Sequence, residues 1–187
     1  LLLGGGQGAS QAKDGKSSLL WPTSAATSSL EMFETRSPIV IWEKSLMTDS
    51  GGAGENRGGL GVRVRISRRN AEGHPIKAIV SPEGVDLPVE GLFGGKPGKT
   101  ATGKILSHAS GETVQDCGTG AIVDLVDTDA VVELTLAGGS GYGDPNKRDP
   151  DKLDDDVRQG YVSAEAAETI YGRTARSGER KKSDTAA

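Results

Sequence analysis

The chain has 187 residues and a formal net charge of −4, enough length for one domain with extensions. The mild negative charge argues against nucleic acid as a main partner, because phosphate binding needs a basic surface. No apolar run is long enough to cross a bilayer, so no membrane partner is expected. Aromatic residues make up 4% of the chain, so the core must be built mainly from valine, isoleucine and leucine.

The cysteine content and the start of the sequence bear on location. Cys117 is the single cysteine, which excludes an intrachain disulfide and fits a reducing compartment. The sequence begins LLLGGG, without an initiator methionine or a signal-peptide pattern. We therefore expect a cytoplasmic protein, and we expect residues 1–187 to be the C-terminal portion of a longer polypeptide.

Loops and strand patterns alternate through most of the chain. Residues 4–18 are rich in glycine, serine and lysine and predict a loop, and residues 30–34 can form one helical turn. Residues 59–67 alternate valine and isoleucine with arginine, which predicts a half-buried strand with a wet basic face. The other strand predictions fall at 39–47, 76–84, 121–126 and 131–137, with a hairpin at 104–116.

The last 40 residues change in character. Asp149 and Pro150 predict the start of a helix that Gly160 ends, and Ser163 predicts a second short helix that ends at Gly172. The fold class is therefore α+β and predominantly β, with glycine-rich loops and two short C-terminal helices. We predict a β-rich body at 1–148, a helical segment at 149–172 and a disordered tail at 173–187.

Six glycines lie within residues 49–61, hereafter the glycine loop, with the sequence DSGGAGENRGGLG. Glycines that expose backbone N–H groups beside polar side chains can hold an anion or a carbonyl, so the loop is a candidate substrate or subunit-contact site. Its alternative role is a structural corner between two strands. The candidate residues are Asp49, Gly51, Gly52, Gly54, Arg57, Gly58 and Gly59.

Two details of the glycine loop can be predicted from its sequence. At least one glycine of the pairs 51–52 and 58–59 is expected at positive φ, because these pairs flank a turn. The Arg57 guanidinium is expected to bridge to a carboxylate such as Asp49, or to an anionic intermediate on a partner subunit.

Several other motifs favour structural roles. KPGKT at 96–100 lacks the earlier glycine of a phosphate-binding loop, and Pro97 removes a backbone donor. His74 and His108 are isolated and are expected to be exposed, whereas Cys117 is expected to be a small buried thiol. The carboxylates of residues 151–156 fit a solvated helix face better than a metal site, so no metal ligand is predicted.

The chain resembles the C-terminal portion of the hydantoinase B / 5-oxoprolinase family, most closely the N-methylhydantoinase beta-subunit type. The glycine loop and the YGDP run are the most specific segments when taken together. The resembling segments are GGGQGAS (4–10), DGKSSLLWPTSAATSSLEMFETRSPIVIWEK (14–44), DSGGAGENRGGLG (49–61), GLFGGKPG (91–98), CGTG (117–120), LAGGSGYGDPNKRDP (136–150) and DVRQGYVSAEAAETIYG (156–172).

This resemblance implies part of an ATP-dependent hydrolase that opens cyclic amides of the hydantoin or 5-oxoproline class. An A-type subunit would bind ATP and phosphorylate the amide oxygen, and the B-type subunit would help to convert the activated species. The family's N-terminal portion, with its His- and Asp-containing motifs, is a further partner that residues 1–187 do not include.

The same resemblance limits what residues 1–187 can be expected to do. Any divalent metal would be held outside this fragment, its catalytic residues are unknown, and the fragment is expected to be inactive alone. The alternative is a non-catalytic, β-rich assembly module of a related acetone-type carboxylase complex.

Overall fold

The computed structural model describes residues 3–19 and 29–173, which form a mainly antiparallel β structure with short helices. The predicted tail at 173–187 lies outside the described residues apart from Arg173. Strands are β1 (Ile39–Leu46), β2 (Val62–Arg68), β3 (Ile76–Val80), β4 (Thr102–Ser107), β5 (Thr113–Asp116), β6 (Ala121–Leu125) and β7 (Ala130–Thr135). Helices are α1 (Leu30–Arg36), α2 (Pro150–Arg158) and α3 (Ala164–Thr169), with a 3-10 turn at Pro145–Lys147.

The strands form two antiparallel sheets. Five strands pair in the order β1-β2-β7-β4-β5, and β3 pairs with β6 in a separate two-stranded sheet. One core lies between these sheets, where Val80 and Leu125 of the small sheet meet Ile105 and Val132 of the large one. The predominantly β, α+β fold class is thus confirmed.

The side chains of β2 alternate between the two faces of the sheet, as the sequence predicts. Val62 and Val64 are buried, whereas Arg63 and Arg65 lie on the opposite face. Arg65 is paired across the sheet with Glu133, and its Nε lies 2.7 Å from a carboxylate oxygen of that residue. The basic face is therefore half-exposed and charge-compensated.

The two C-terminal helices begin where the sequence predicts. The Asp149 carboxylate caps α2 by accepting from the backbone N–H of Asp151 and Lys152, and Gly160 follows the helix at φ +75°. Ser163 caps α3 in the same way. Both helices pack through Leu153 and Ala167 onto a second small core, which includes Ala53 of the glycine loop.

Candidate functional site

The glycine loop packs backbone against backbone. It connects β1 to β2, and its neighbours are residues 5–8, 95–99 and 138–142; together these four segments are called the glycine bundle. Gly52 N–H donates to the Gly139 carbonyl at 2.8 Å, and Gly59 N–H donates to the Gln7 carbonyl at 2.8 Å. Gly58 N–H in turn donates to the Gly52 carbonyl. These donors are therefore engaged within the protein rather than presented to a ligand.

The loop needs its glycines because other backbone segments approach them closely, and not because they adopt an unusual backbone conformation. The prediction of positive φ at residues 51–52 or 58–59 is wrong, because none of these four lies in the left-handed region. Asp49 takes that conformation instead, with φ +57°. An added Cβ would meet a backbone oxygen at 2.2 Å from Gly51, 2.1 Å from Gly52, 2.6 Å from Gly54, 1.9 Å from Gly58 and 2.1 Å from Gly59.

Arg57 is the charged centre of the loop, and it is buried. Its Nε donates to Oδ2 of Asp156 at 3.1 Å, and a second nitrogen donates to Oδ1 of the same carboxylate at 3.3 Å. A third contact joins the guanidinium to the Gly58 carbonyl at 2.7 Å. The guanidinium carbon Cζ lies over the Tyr161 ring, 5.4 Å from its centre. This bidentate pair fixes helix α2 to the glycine loop.

Arg148 extends the pair into a network. Its guanidinium donates to Oδ2 of Asp156 at 2.6 Å and to both carboxylate oxygens of Asp14 at 2.9 and 3.0 Å. Burial would raise the pKa of Asp14, but the hydrogen bonds and charge of Arg148 lower that pKa below its ordinary value of 3.8. Two arginines and two aspartates therefore form a compensated network, hereafter the buried ion network.

Tyr171 lies beside the buried ion network at the end of the helical segment. Its side chain is 3% exposed, and burial raises the pKa of its hydroxyl from 10.0 to about 12. The charges of Arg148 and Arg57 oppose that rise, whereas the charge of Asp156 adds to it. The phenol is thus held neutral next to four ionised groups.

Asp49 does not pair with Arg57, so the predicted bridge between them is wrong. Its Oδ1 accepts from the backbone N–H of Ser163 at 2.8 Å, and its own N–H donates to the Tyr161 carbonyl. Both contacts bind the loop to the start of α3. The carboxylate that meets Arg57 is Asp156, so the prediction of a solvated face for the carboxylates of 151–156 fails at this residue because tertiary packing buries it.

A shallow groove of about 150 Å³ lies next to the loop, bordered by α3 and by residues 96–99. Lys96 and Lys99 are exposed at its edge. No helix follows KPGKT; strand β4 begins at Thr102 instead. Lys99 N–H donates to the Ser50 carbonyl, so this segment packs within the glycine bundle. The interpretation that it is not a nucleotide-binding loop stays a prediction.

The remaining candidate residues have structural surroundings. His74 and His108 are exposed as predicted, and the His108 ring stacks on Trp42 at 4.8 Å. Cys117 is buried, and burial raises the pKa of its thiol, which disfavours the reactive thiolate. Within residues 3–19 and 29–173, no three side chains of His, Cys, Asp or Glu are grouped to hold a metal ion. In that same part of the chain, no helix has the length and apolarity that a membrane crossing requires.

Sequence reasoning named Arg57 but missed its partners. Asp14, Arg148 and Asp156 stand in polar segments without periodicity, so nothing local distinguishes them from surface charges. Each belongs to a segment that resembles the family, and that resemblance was the signal that could have identified these residues from the sequence. The structure brings together residues from the N-terminal loop, the glycine loop, the turn before α2 and α2 itself; Arg57, Arg148 and Asp156 are buried, and Asp14 is partly exposed.

The architecture defines a class: a glycine-bundled, mainly antiparallel β module closed by two C-terminal helices. The chain belongs to the hydantoinase B/oxoprolinase family, whose model matches residues 1–145. It is 33% identical over 181 residues to the caprolactamase subunit beta of Pseudomonas jessenii, covering 89% of this chain. It is also 26% identical to the acetone carboxylase alpha subunit of Xanthobacter autotrophicus, covering 92% of this chain.

A solved structure shows the same fold. The crystal structure of the ATP-dependent caprolactamase from Pseudomonas jessenii superposes with a TM-score of 0.74 at 31% identity, covering 96% of this chain. The chain spans 31% of that protein, 29% of the caprolactamase subunit beta and 26% of the acetone carboxylase alpha subunit. It therefore corresponds to less than a third of these relatives.

Proposed function

We propose that this chain is the C-terminal portion of a hydantoinase B-type subunit in an ATP-dependent enzyme that hydrolyses a cyclic amide. The observation that carries the proposal is the similarity to the caprolactamase subunit beta, at 33% identity over 89% of the chain. That relative's name adds caprolactam to the hydantoin and 5-oxoproline substrates expected from the sequence. An A-type subunit binds ATP in this proposal, and the remainder of the B-type subunit completes the site. A cytoplasmic location stays a prediction from the single cysteine.

The chemistry explains why such an enzyme needs ATP. An unstrained lactam carbonyl is a poor electrophile, and phosphorylating its oxygen makes the carbon more electrophilic and creates a leaving group. Any metal or general base for the water attack belongs to the part of the assembly that residues 1–187 do not span. The chain alone is expected to be inactive.

The role of the described residues is that of a rigid scaffold. The donors of Gly52, Gly58 and Gly59 are engaged internally, and Arg57 is held by Asp156 and Gly58. We assign a positioning role to the glycine loop. Its packing holds in place the edge that lies next to the groove at Lys96 and Lys99, and the loop does not contact substrate directly.

Reconstitution tests the proposal. The chain is co-expressed with an A-type subunit and with the remainder of a B-type subunit, and ADP and ring-opened product are measured with caprolactam, 5-oxoproline and hydantoin. We expect one of the three to give ADP and ring-opened product in a stoichiometric ratio. Omitting ATP or the A-type subunit is the control and should abolish turnover. ADP release without ring opening for all three would contradict the proposal.

A carboxylase assembly is the second candidate, favoured by the 26% identity to the acetone carboxylase alpha subunit over 92% of the chain. The same complex is therefore assayed with acetone or acetophenone and bicarbonate. Bicarbonate-dependent ATP consumption with a ketone, and none with a lactam, would select the carboxylase. Loop substitutions that leave kcat and KM unchanged in the folded complex would assign the loop to assembly in either case.

A further inference from the structure

Residues 86–93, DLPVEGLF, present an unusual amount of apolar surface; this stretch is called the apolar segment. Leu87 is 80% exposed, Val89 71%, Leu92 60% and Phe93 78% in the described structure. Isolated exposed apolar side chains are ordinary, but four large ones within seven residues indicate an interaction surface.

The apolar segment is held rigidly at its C-terminal end. Leu92 N–H donates to the Gly141 carbonyl at 3.2 Å, and the Leu92 carbonyl accepts from Gly143 N–H at 2.9 Å. The Phe93 ring lies 5.1 Å from the ring of Tyr142. A backbone fixed in this way presents its side chains at a low cost in ordering entropy when it binds.

Phe93 also has a strained backbone. Its φ is +55°, in the left-handed region that a bulky side chain rarely adopts. Such strain persists where the surrounding structure imposes it, and it is concentrated at sites of function. Here the strained residue carries a large aromatic side chain that is 78% exposed.

Charge adds a second property to the surface. Residues 83–93 contain Glu83, Asp86 and Glu90 and no lysine or arginine. All three carboxylates are exposed. A complementary surface therefore combines an apolar groove with a basic border.

We propose that the apolar segment docks into an apolar groove bordered by lysine or arginine, on the part of a hydantoinase B-type subunit that this chain does not span. In the matched relatives, about 70% of the same polypeptide lies outside the region equivalent to this chain. Covalent connection gives that remainder a high effective concentration. Apolar exposure of this extent is also typical of permanent interfaces. The inference rests on the proposed function only in taking the chain as part of a B-type subunit.

Photo-crosslinking in the assembled A–B complex tests the docking. The reactive residue p-benzoylphenylalanine replaces Val89 in one variant and Val114 in the control, since Val114 on β5 has nearly the same exposure, 70%. We expect a yield from position 89 at least about tenfold above the control, consistent with a buried interface centre. Mass spectrometry should map its target to the B-type polypeptide outside residues 1–187, within a few residues of lysine or arginine.

A binding measurement accompanies the crosslink. Leu87→Ser with Val89→Ser should weaken association with the remainder of the subunit by about 10–100-fold, whereas Val114→Ser should change it less than about twofold. Ring-opening activity measured on the crosslinked samples separates the two proposals, because a crosslink without hydrolysis counts against the proposed function alone. A crosslink to the A-type subunit or to a second copy, or equal yields at positions 89 and 114, would overturn the docking inference.

Discussion

Arg57 and Asp156 lie 99 residues apart in the sequence and meet in a buried, bidentate ion pair. The pair joins the loop between β1 and β2 to helix α2, and Arg148 shares the same carboxylate. Because a buried charge is costly when it loses its partner, this contact governs how the C-terminal helices are attached.

Asp156→Asn should destabilise the fold by about 3–5 kcal/mol, since it leaves Arg57 and Arg148 buried with one carboxylate fewer. Urea unfolding of the purified chain measures the change. Asp155→Asn is the matched control, because Asp155 is half-exposed and pairs with Arg158 on the helix surface. The control should cost less than about 1 kcal/mol. Equal losses in the two variants would show that the network is not responsible.

Gly58→Ala should cost about 3 kcal/mol or more, because the new Cβ would lie 1.9 Å from the Gly139 carbonyl oxygen and the backbones must separate. Gly73→Ala is the comparison: Gly73 has φ +78° and no atom near its Cβ position, so only conformational strain of about 1–2 kcal/mol applies. Thermal melting of both variants distinguishes close packing from backbone strain. A larger loss at Gly73 would refute the packing explanation.

Tyr171 should make the fold less stable at alkaline pH. Its pKa is raised to about 12, so the folded state favours the neutral phenol. The stability from this preference is complete below pH 10 and is lost as the pH rises towards 12, by up to about 1.4 kcal/mol per pH unit. Tyr171→Phe should therefore flatten the pH dependence of the unfolding free energy in this window. Parallel curves for the two proteins would contradict the assignment.

Asp14 should make the fold less stable at acidic pH. Its pKa is lowered by Arg148, so its contribution to stability is present above its ordinary pKa of 3.8 and is lost as the pH falls through the lower value. Asp14→Asn should be less stable than the parent at pH 7 and should approach it as the pH falls below 3.8. Urea titrations at pH 7, 4 and 3 measure this convergence. A difference that stays constant with pH would assign the loss to packing instead of charge.

Removal of residues 174–187 should leave the melting temperature within a few degrees of the parent, because this stretch contains no large apolar residue. The described backbone contact nearest this end is Arg173 N–H to the Ala167 carbonyl, which the truncation keeps. Differential scanning calorimetry of both lengths provides the measurement. A drop of more than a few degrees would assign a packing role to the tail.

Local signals predicted the elements well. Asp149, Pro150 and Gly160 mark the ends of α2 through capping and backbone preference, which act within a few residues. The alternation in 59–67 likewise predicted β2, since burial of one sheet face imposes a period of two.

Tertiary contacts explain the predictions that failed. Positive φ is the local reason for a glycine, so the sequence predicts it for at least one of the pairs 51–52 and 58–59. At Gly58 the actual reason is the close backbone of Gly139, which lies in a distant segment. Asp156 stands in a run of acids, and composition alone predicts solvation there. Its burial depends on Arg57 and Arg148, whose proximity no periodicity encodes.

The span between Asp14 and Arg148 has a consequence for biosynthesis. The two residues are 134 positions apart, so at ribosomal speed roughly 7–27 s separate their synthesis. For most of that interval the N-terminal loop has neither its ionic partner Arg148 nor the Ala137 carbonyl to which Gly6 N–H donates. Outside its own residues, the nascent loop can therefore bond only to the glycine loop, through contacts such as Gly59 N–H to the Gln7 carbonyl, and Asp14 lacks its guanidinium partner until nearly all of the fold has emerged. Chaperone capture or proteolysis of stalled chains should concentrate at that stage.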